Sequence, residues 1–244
     1  RVQVPLHPLV AAQGVAVVVV RKPRVAADGA EVAEDFERPR VGRQVAVIDH
    51  GHVERLLRSA ELLDMELPYS KNDLCEAVVG TIARNELSQG FVKVICFYPE
   101  ISFEILPPGR QLSVSVFALD PEKDLGGLAD PYKEGTTIYV SSWRKLDPKT
   151  VPVEAKAAAN YLNGMVARQE AVKKGFKSVI MLDTQGCIAE GGTESAFLVK
   201  DGCLLTPSTE AVLKSITRMS ILELAREVGI ECSEKQLKPE LLDE

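Results

Sequence analysis

Three side chains in the second half of the chain have the types and the spacing expected of a binding or catalytic site. Lys156 is followed by three alanines, and Tyr161 lies five positions further on. Glu190 ends an apolar run and precedes two glycines, where a buried carboxylate would need a partner. A lysine on its own is most often a solvated helix residue, because this side chain is rarely buried. The small neighbours of Lys156, which leave room for a bulky group beside its amine, favour a binding role instead.

Composition limits the class of protein. The 244 residues are 45% hydrophobic and carry a net charge of -6, which is typical of a soluble globular protein with one large or two small domains. This charge gives no reason to expect a nucleic acid as partner. The longest apolar run, residues 9–20, is shorter than the roughly 20 residues of a membrane span. We therefore expect small-molecule partners, with neither nucleic acid nor membrane.

The cysteines and histidines further limit the kinds of functional site that this chain can form. The five cysteines form no C-x-x-C pair and are odd in number, which fits reduced thiols in a cytoplasmic protein. The last of the three histidines is His52. This excludes a multi-histidine metal site and a Ser-His-Asp triad in the second half, and no metal is expected.

Residues 1–50 form an atypical segment that is rich in Val, Ala and Arg. The chain begins with Arg1, the first serine is Ser59, and the first asparagine is Asn72. Ordinary domains use small polar residues for turns and helix caps, so this segment differs from the rest of the chain. It is consistent with a Val-rich strand region, a divergent extension or a reading-frame error.

The pattern after residue 50 predicts an α+β chain in two lobes. Residues 51–125 form a small α+β lobe, 126–136 a linker and 137–244 a larger lobe. In the small lobe, Ser70 followed by Asp73 is typical of a capping box. The elements predicted there are helices His52–Asp64 and Ser70 to about Asn85, and strands Phe91–Phe97 and Gln111–Leu119.

The larger lobe alternates strands and helices. Asp201-Gly202 predicts a hairpin turn, and Gly175 and Gly229 are placed to end helices. The predicted elements are strand Thr137–Trp143, helix Val153–Lys174, strand Ser178–Leu182, extended segments at 188–189 and 196–199, strand Cys203–Thr206, helix Ile216–Val228 and a strand from Glu231.

Several motifs in the same order resemble the class IV aminotransferases, which are pyridoxal-phosphate enzymes of fold type IV. The resemblance is closest to branched-chain amino acid aminotransferases and covers roughly 52–244. It implies a two-lobed fold like that of D-amino acid aminotransferase, here with an atypical amino-terminal lobe and a truncated carboxyl end. The motifs that carry it are SSWRKLDPKTVPVEAKAAANYLN, LDTQGCIAEGGTESAFLVKDG, LLTP and SITR.

The resemblance implies a role for each of the three side chains. Lys156 would form a Schiff base with pyridoxal 5'-phosphate and shuttle a proton, since a lysine amine condenses with aldehydes and can act as a base. Glu190 would pair with the pyridine nitrogen and keep it protonated. Tyr161 would hydrogen-bond the ring hydroxyl. Taken alone, Tyr161 would be interpreted as a core tyrosine.

The resemblance also implies a phosphate site. Arg55 matches the phosphate-binding arginine of the family, and its planar fork suits a phosphate dianion. Ile216 and Thr217 match backbone amides at a helix start, which is a ready anion site. Taken alone, Arg55 would be a surface residue and Thr217 a helix cap.

The chain departs from the family pattern at several positions. Ser195 replaces an asparagine, and Ser215 replaces a glycine before Ile-Thr-Arg. Where the family has Tyr-x-Arg facing the substrate, this chain has Phe91 and Lys93 as candidate substrate-binding residues. Lys93 keeps the positive charge but loses the bidentate clamp. The early pocket motif of the family is not visible in residues 1–50.

The expected reaction moves an amino group between a branched-chain L-amino acid and 2-oxoglutarate. Within the family, D-amino acid aminotransferase and aminodeoxychorismate lyase remain alternatives, because they share the lysine and the glutamate. A catalytically inactive fragment of the family and an α+β domain without cofactor are the other interpretations. The family also implies a homodimer or a higher homo-oligomer.

Overall fold

The computed structural model describes residues 17–20, 45–88, 90–125 and 136–242. Most of the atypical segment 1–50 and nearly all of the predicted linker 126–136 lie outside the described residues. The chain divides into two units, Arg1–Ala129 and Asp130–Glu244. Within the described residues, no helix is long and apolar enough to cross a membrane.

The first unit places two helices on an antiparallel sheet. Its elements are β1 (Val17–Val20), α1 (Val45–Leu62), α2 (Lys71–Arg84), β2 (Phe91–Phe97), β3 (Ser113–Leu119) and α3 (Pro121–Leu125). The sheet order is β1-β3-β2, with Val94 opposite Val116. The core is formed by apolar side chains of both helices and of β3, namely Val53, Leu74, Val78, Ile82, Val114 and Val116.

The second unit contains two three-stranded sheets and two longer helices. Its elements are β4 (Ile138–Arg144), α4 (Tyr161–Lys173), β5 (Ser178–Leu182), β6 (Ile188–Gly191), β7 (Leu198–Lys200), β8 (Cys203–Thr206), α5 (Ile216–Glu227) and β9 (Cys232–Glu234). The sheet orders are β4-β5-β6 and β7-β8-β9. Strands β4 and β5 run parallel because α4 provides the crossover between them. Ala167 and Ala171 of α4 pack on Val179 and Met181 of β5.

Most predicted elements are confirmed, and local signals explain why. The capping box at Ser70 and Asp73 is present with both of its hydrogen bonds, and the helix after it ends at Arg84. Asp201 and Gly202 adopt φ values of 51° and 76°, which a tight hairpin turn requires. Strands β2, β5 and β8 have the predicted bounds.

The predicted helix Val153–Lys174 is wrong in its first two turns. Helix α4 begins at Tyr161 and follows a 3₁₀ turn at Ala158–Asn160. Before that, the Ala155 amide donates to the Pro152 carbonyl at 3.0 Å, which closes a turn instead of starting a helix. Helical propensity at the alanines is overridden by this turn, so Lys156 lies in irregular chain.

Candidate functional site

Lys156 and Tyr161 lie side by side at the start of α4. The Lys156 Nζ is 5.5 Å from the centroid of the Tyr161 ring, within the range of a cation–π contact. Tyr161 is 46% exposed, so the interpretation as a core tyrosine is wrong. Lys156 is exposed as well, so the pair lies at the surface of the second unit.

Glu190 has the partner that its burial requires. Its carboxylate oxygen Oε1 accepts a hydrogen bond from Nζ of Lys145 in a short ion pair. Both side chains are largely withdrawn from water, with 11% of Lys145 and 14% of Glu190 exposed. Sequence reasoning predicted the need for a partner and missed its identity, because the two residues are 45 positions apart.

The main chain around Lys145 is fixed on both sides. The Lys145 amide donates to the Leu182 carbonyl at 2.8 Å, at the end of β5. The side chain of Asn163 accepts from the Leu146 amide at 3.1 Å and donates to the Arg144 carbonyl at 3.0 Å. Because Asn163 belongs to α4, the helix that begins with Tyr161 also holds the segment that carries Lys145.

Helix α4 touches the loop after Glu190 through two glycines. A Cβ atom added to Gly164 would lie 2.0 Å from the Gly192 carbonyl oxygen, far inside van der Waals contact. Only glycine at position 164 permits this approach. The contact fixes the helix of Tyr161 against the strand of Glu190. An isolated glycine inside a helical pattern was the sequence signal that could have revealed it.

Glu194 closes the loop that follows Glu190. Its carbonyl accepts from the Gly191 amide at 2.7 Å, and its carboxylate accepts from the Thr193 amide at 2.9 Å and from Arg168 Nη2 at 2.5 Å. Burial of the Glu194 carboxyl opposes ionisation, but the Thr193 amide and the Arg168 charge outweigh it and hold its pKa below the ordinary value. The loop is therefore closed by its own side chain and by α4.

The start of α5 offers backbone donors to an anion. Ser215 is the N-cap, and its side chain accepts from the Arg218 amide at 3.3 Å. The amides of Ile216 and Thr217 have no acceptor within the helix, and the helix dipole favours negative charge there. Thr217 is exposed and is not the cap, so that alternative is wrong. Ser215 has φ -70° and ψ 132°, which a serine adopts without strain in place of glycine.

Arg218 fastens α5 to the neighbouring sheet. Its buried guanidinium donates to Thr206 Oγ1 at 3.3 Å, to the Pro207 carbonyl at 2.9 Å and to Glu234 Oε2 at 2.7 Å. Arg218, Thr206 and Glu190 also line the same small cavity. The beginning of α5 and the Glu190 carboxylate are therefore neighbours within the second unit.

The remaining predicted residues belong to the first unit. Arg55 is half-buried in α1, so it is not a simple surface residue, and its carbonyl accepts from the Ser59 hydroxyl at 2.7 Å. Phe91 and Lys93 both lie on the exposed face of β2. They alternate with Val92, which packs against the core, so both point to the same side of the sheet.

The second unit thus brings an amine, a phenol, a paired carboxylate and a helix start into one fold. This set of groups fits a phosphorylated pyridine aldehyde, because each polar group of that molecule has a counterpart of suitable chemistry. Among the described residues, no group of three or more His, Cys, Asp or Glu side chains could hold a metal ion. All five cysteines lie in the described part of the chain and are free thiols.

Comparison with known proteins defines the class to which this fold and site belong. Residues 36–244 match the family described as amino-transferase class IV, and the chain belongs to this family. The resemblance found in the sequence and the mixed α/β fold of type IV are thereby confirmed.

The particular relatives are branched-chain enzymes. The chain is 36% identical to the branched-chain-amino-acid aminotransferase of Escherichia coli (strain K12), over 78% of this chain and 62% of that protein. The crystal structure of the Escherichia coli enzyme superposes with a TM-score of 0.71 at 33% identity, again over 78% and 62% of the two chains. The structure of the Thermobaculum terrenum enzyme in its PLP form gives 0.70 at 26% identity, over 78% and 61%. The chain therefore spans less than two thirds of the length of these relatives.

Proposed function

We propose that this chain performs transamination with pyridoxal 5'-phosphate between a branched-chain L-amino acid and 2-oxoglutarate. The observation that carries the proposal is the Lys156 amine beside Tyr161, in the same unit as the paired carboxylate of Glu190. Family membership and relatives that are branched-chain aminotransferases support the reaction and the substrate class. The structural neighbour in its PLP form supports the cofactor.

The cofactor has a counterpart residue for each of its polar groups. Lys156 would bind the aldehyde carbon covalently, Tyr161 would hydrogen-bond the ring hydroxyl, and Glu190 would pair with the ring nitrogen. The amides of Ile216 and Thr217 would bind the phosphate. Arg55, in the first unit, is the phosphate-binding arginine that the family resemblance implies. When bound, pyridoxal phosphate supplies an electron sink for the bonds at the substrate α-carbon.

The chain's own contribution to the reaction is proton transfer and orientation. Lys156 Nζ would be the base that takes the proton from the substrate α-carbon and holds it for return during the reaction. Tyr161 directs the amine, because its ring lies beside Nζ. Glu190 would hold a negative charge against the ring nitrogen, which would make the ring a better electron acceptor.

The substrate contacts that we propose lie on β2. Lys93 offers a positive charge to the substrate carboxylate, and Phe91, 47% exposed, offers an apolar surface on the same face of the strand. A lysine acts as a point charge without the fork of an arginine, so we expect weaker carboxylate binding than a bidentate clamp would give. Branched aliphatic side chains suit the apolar part of this face.

A homodimer or higher homo-oligomer is part of the proposal. Ile101, Phe103 and Ile105 are almost completely exposed, at 99%, 109% and 100%, which is costly for an isolated chain in water. Sedimentation equilibrium across a range of concentrations tests this state, and a monomer at every concentration would contradict it.

The test of the proposed function is a donor panel with 2-oxoglutarate as acceptor. Leucine, isoleucine and valine should each support glutamate formation, and Lys156→Ala should abolish it. Lys177→Ala, which removes an exposed lysine of the same unit, is the matched control and should keep full activity. D-alanine as the best donor would contradict the substrate class, and glutamate formation by Lys156→Ala would contradict the mechanism.

A further inference from the structure

We propose that Lys145 is a positioning residue that orients Glu190 toward the ring nitrogen of the cofactor. The inference rests on the proposed function and adds a residue to it. Lys145 binds one carboxylate oxygen of Glu190, Oε1. The other oxygen, Oε2, accepts no hydrogen bond from any described residue, so it is available to a second donor.

The position of Lys145 is built for this contact. Its amide is bonded to Leu182, and the residues on either side of it are bonded to the Asn163 side chain. Because the backbone around Lys145 is fixed by three hydrogen bonds, the ammonium group of Lys145 approaches Glu190 from a defined direction. Arg144, one position earlier at the end of β4, is exposed, whereas only 11% of the Lys145 side chain is exposed. The cation that meets Glu190 is therefore the residue directly after β4, where hydrogen bonds to Leu182 and Asn163 hold the chain.

Charge and burial explain why such a residue is needed. A carboxylate that is 14% exposed is costly without a counter-charge, and an unpaired one would turn toward water. Lys145 supplies the charge and fixes the rotation of the carboxylate, which leaves Oε2 directed away from the ammonium group. A charge-assisted hydrogen bond from the ring nitrogen then needs no rearrangement of Glu190.

If the role of the ion pair is purely structural, loss of Lys145 should affect the binding of cofactor analogues in a different way. If Lys145 only ties the end of β4 to β6, its loss would weaken binding of every cofactor analogue to the same extent. If it positions Glu190, its loss would affect only ligands that carry a ring nitrogen. Pyridoxamine 5'-phosphate is the suitable probe, because it forms no covalent bond with Lys156.

The experiment is a fluorescence titration of the chain with pyridoxamine 5'-phosphate and with its 1-deaza analogue, in which a C–H replaces the ring nitrogen. Lys145→Met should weaken binding of pyridoxamine 5'-phosphate by about ten- to a hundredfold, the worth of one charge-assisted hydrogen bond, and leave the deaza analogue almost unchanged. Lys145→Arg should restore most of the loss, and Lys177→Met is the matched control. If Lys145→Met does not fold, Lys145→Gln takes its place.

Two results for Lys145→Met would overturn the inference but leave the proposed function intact. Binding of both ligands would be weakened equally, or binding of neither would be weakened. A wild-type chain that binds neither ligand would instead overturn the proposed function, and the inference with it. Glu190→Gln should lose the preference for the ring nitrogen, and the double variant should bind no worse than Glu190→Gln alone. If the losses of binding affinity from the two substitutions add up in the double variant, Lys145 does not act through Glu190.

Discussion

Gly164 of α4 and Gly192 of the loop after Glu190 approach so closely that a Cβ on Gly164 would lie 2.0 Å from the Gly192 carbonyl oxygen. The atom that would be struck belongs to the backbone and cannot rotate away. This contact fixes the helix that begins with Tyr161 against the strand that carries Glu190, and two proposed cofactor residues depend on it.

Gly164→Ala should therefore destabilise the chain, by about 1–3 kcal/mol or more from overpacking. Gly80 is the matched control, because it is also a helical glycine but an added Cβ would have nothing within 4 Å. Gly80→Ala should stabilise by about 0.5–1 kcal/mol through helix propensity. Urea unfolding of both variants checks this, and equal effects of the two substitutions would contradict the packing role of Gly164.

Arg218 and Arg226 form a second matched pair, since both contact Glu234. Arg218 is 6% exposed and lies 2.7 Å from the carboxylate, whereas Arg226 is 62% exposed and lies 3.7 Å away. Arg218→Met leaves the buried Pro207 carbonyl without its donor and should cost about 1–3 kcal/mol of unfolding free energy.

Arg226→Met should cost less than about 1 kcal/mol, because exposed ion pairs contribute little. Thermal unfolding of the two variants measures the difference. A larger loss in Arg226→Met than in Arg218→Met would show that the buried network does not hold α5 in place.

Because of Glu170, we expect the free energy of unfolding to depend on pH. Its carboxylate accepts from the Ser141 hydroxyl at 2.6 Å and from the Ser142 hydroxyl at 2.7 Å, and these hydrogen bonds hold its pKa below the ordinary value of 4.5. A depressed carboxyl pKa stabilises the fold above the unfolded pKa. That contribution is lost as the pH falls from about 4.5 through the lowered folded pKa.

Glu170→Gln should therefore flatten the acid side of the curve of stability against pH, and Ser141→Ala should act in the same direction. Glu223→Gln on α5 changes the net charge equally and serves as the control. Chemical denaturation at a series of pH values gives the slopes. A Glu170→Gln curve as steep as that of the wild type would contradict the role of these hydrogen bonds.

Local features of this chain were predictable, and contacts between distant residues were not. The capping box at Ser70 and the turn at Asp201-Gly202 depend on neighbouring residues only, so their sequence signals were sufficient. The start of α4 was misplaced because the turn closed by Pro152 outweighs the helical preference of the alanines near Lys156. Pairing of β4 with β5 depends on register and packing, which periodicity does not encode.

In the candidate site, too, residues that are recognisable along the chain were predicted, and residues defined by distant contacts were not. The family resemblance supplied Lys156, Tyr161 and Glu190, because their types and order are visible along the chain. Lys145 and Asn163 were missed, since their importance comes from contacts 45 and 17 to 19 positions away. A lysine at the end of a strand has many possible partners, and only the fold selects one.

Covalent binding of the cofactor by Lys156 is the assignment on which the proposed function depends. Its most direct test is to incubate the chain with pyridoxal 5'-phosphate, reduce the linkage with borohydride, and locate the modified lysine by peptide mass spectrometry. We expect modification on the peptide that contains Lys156 at one equivalent per chain, and its loss in Lys156→Ala. Modification at another lysine, or equal labelling of the wild type and Lys156→Ala, would contradict the claim.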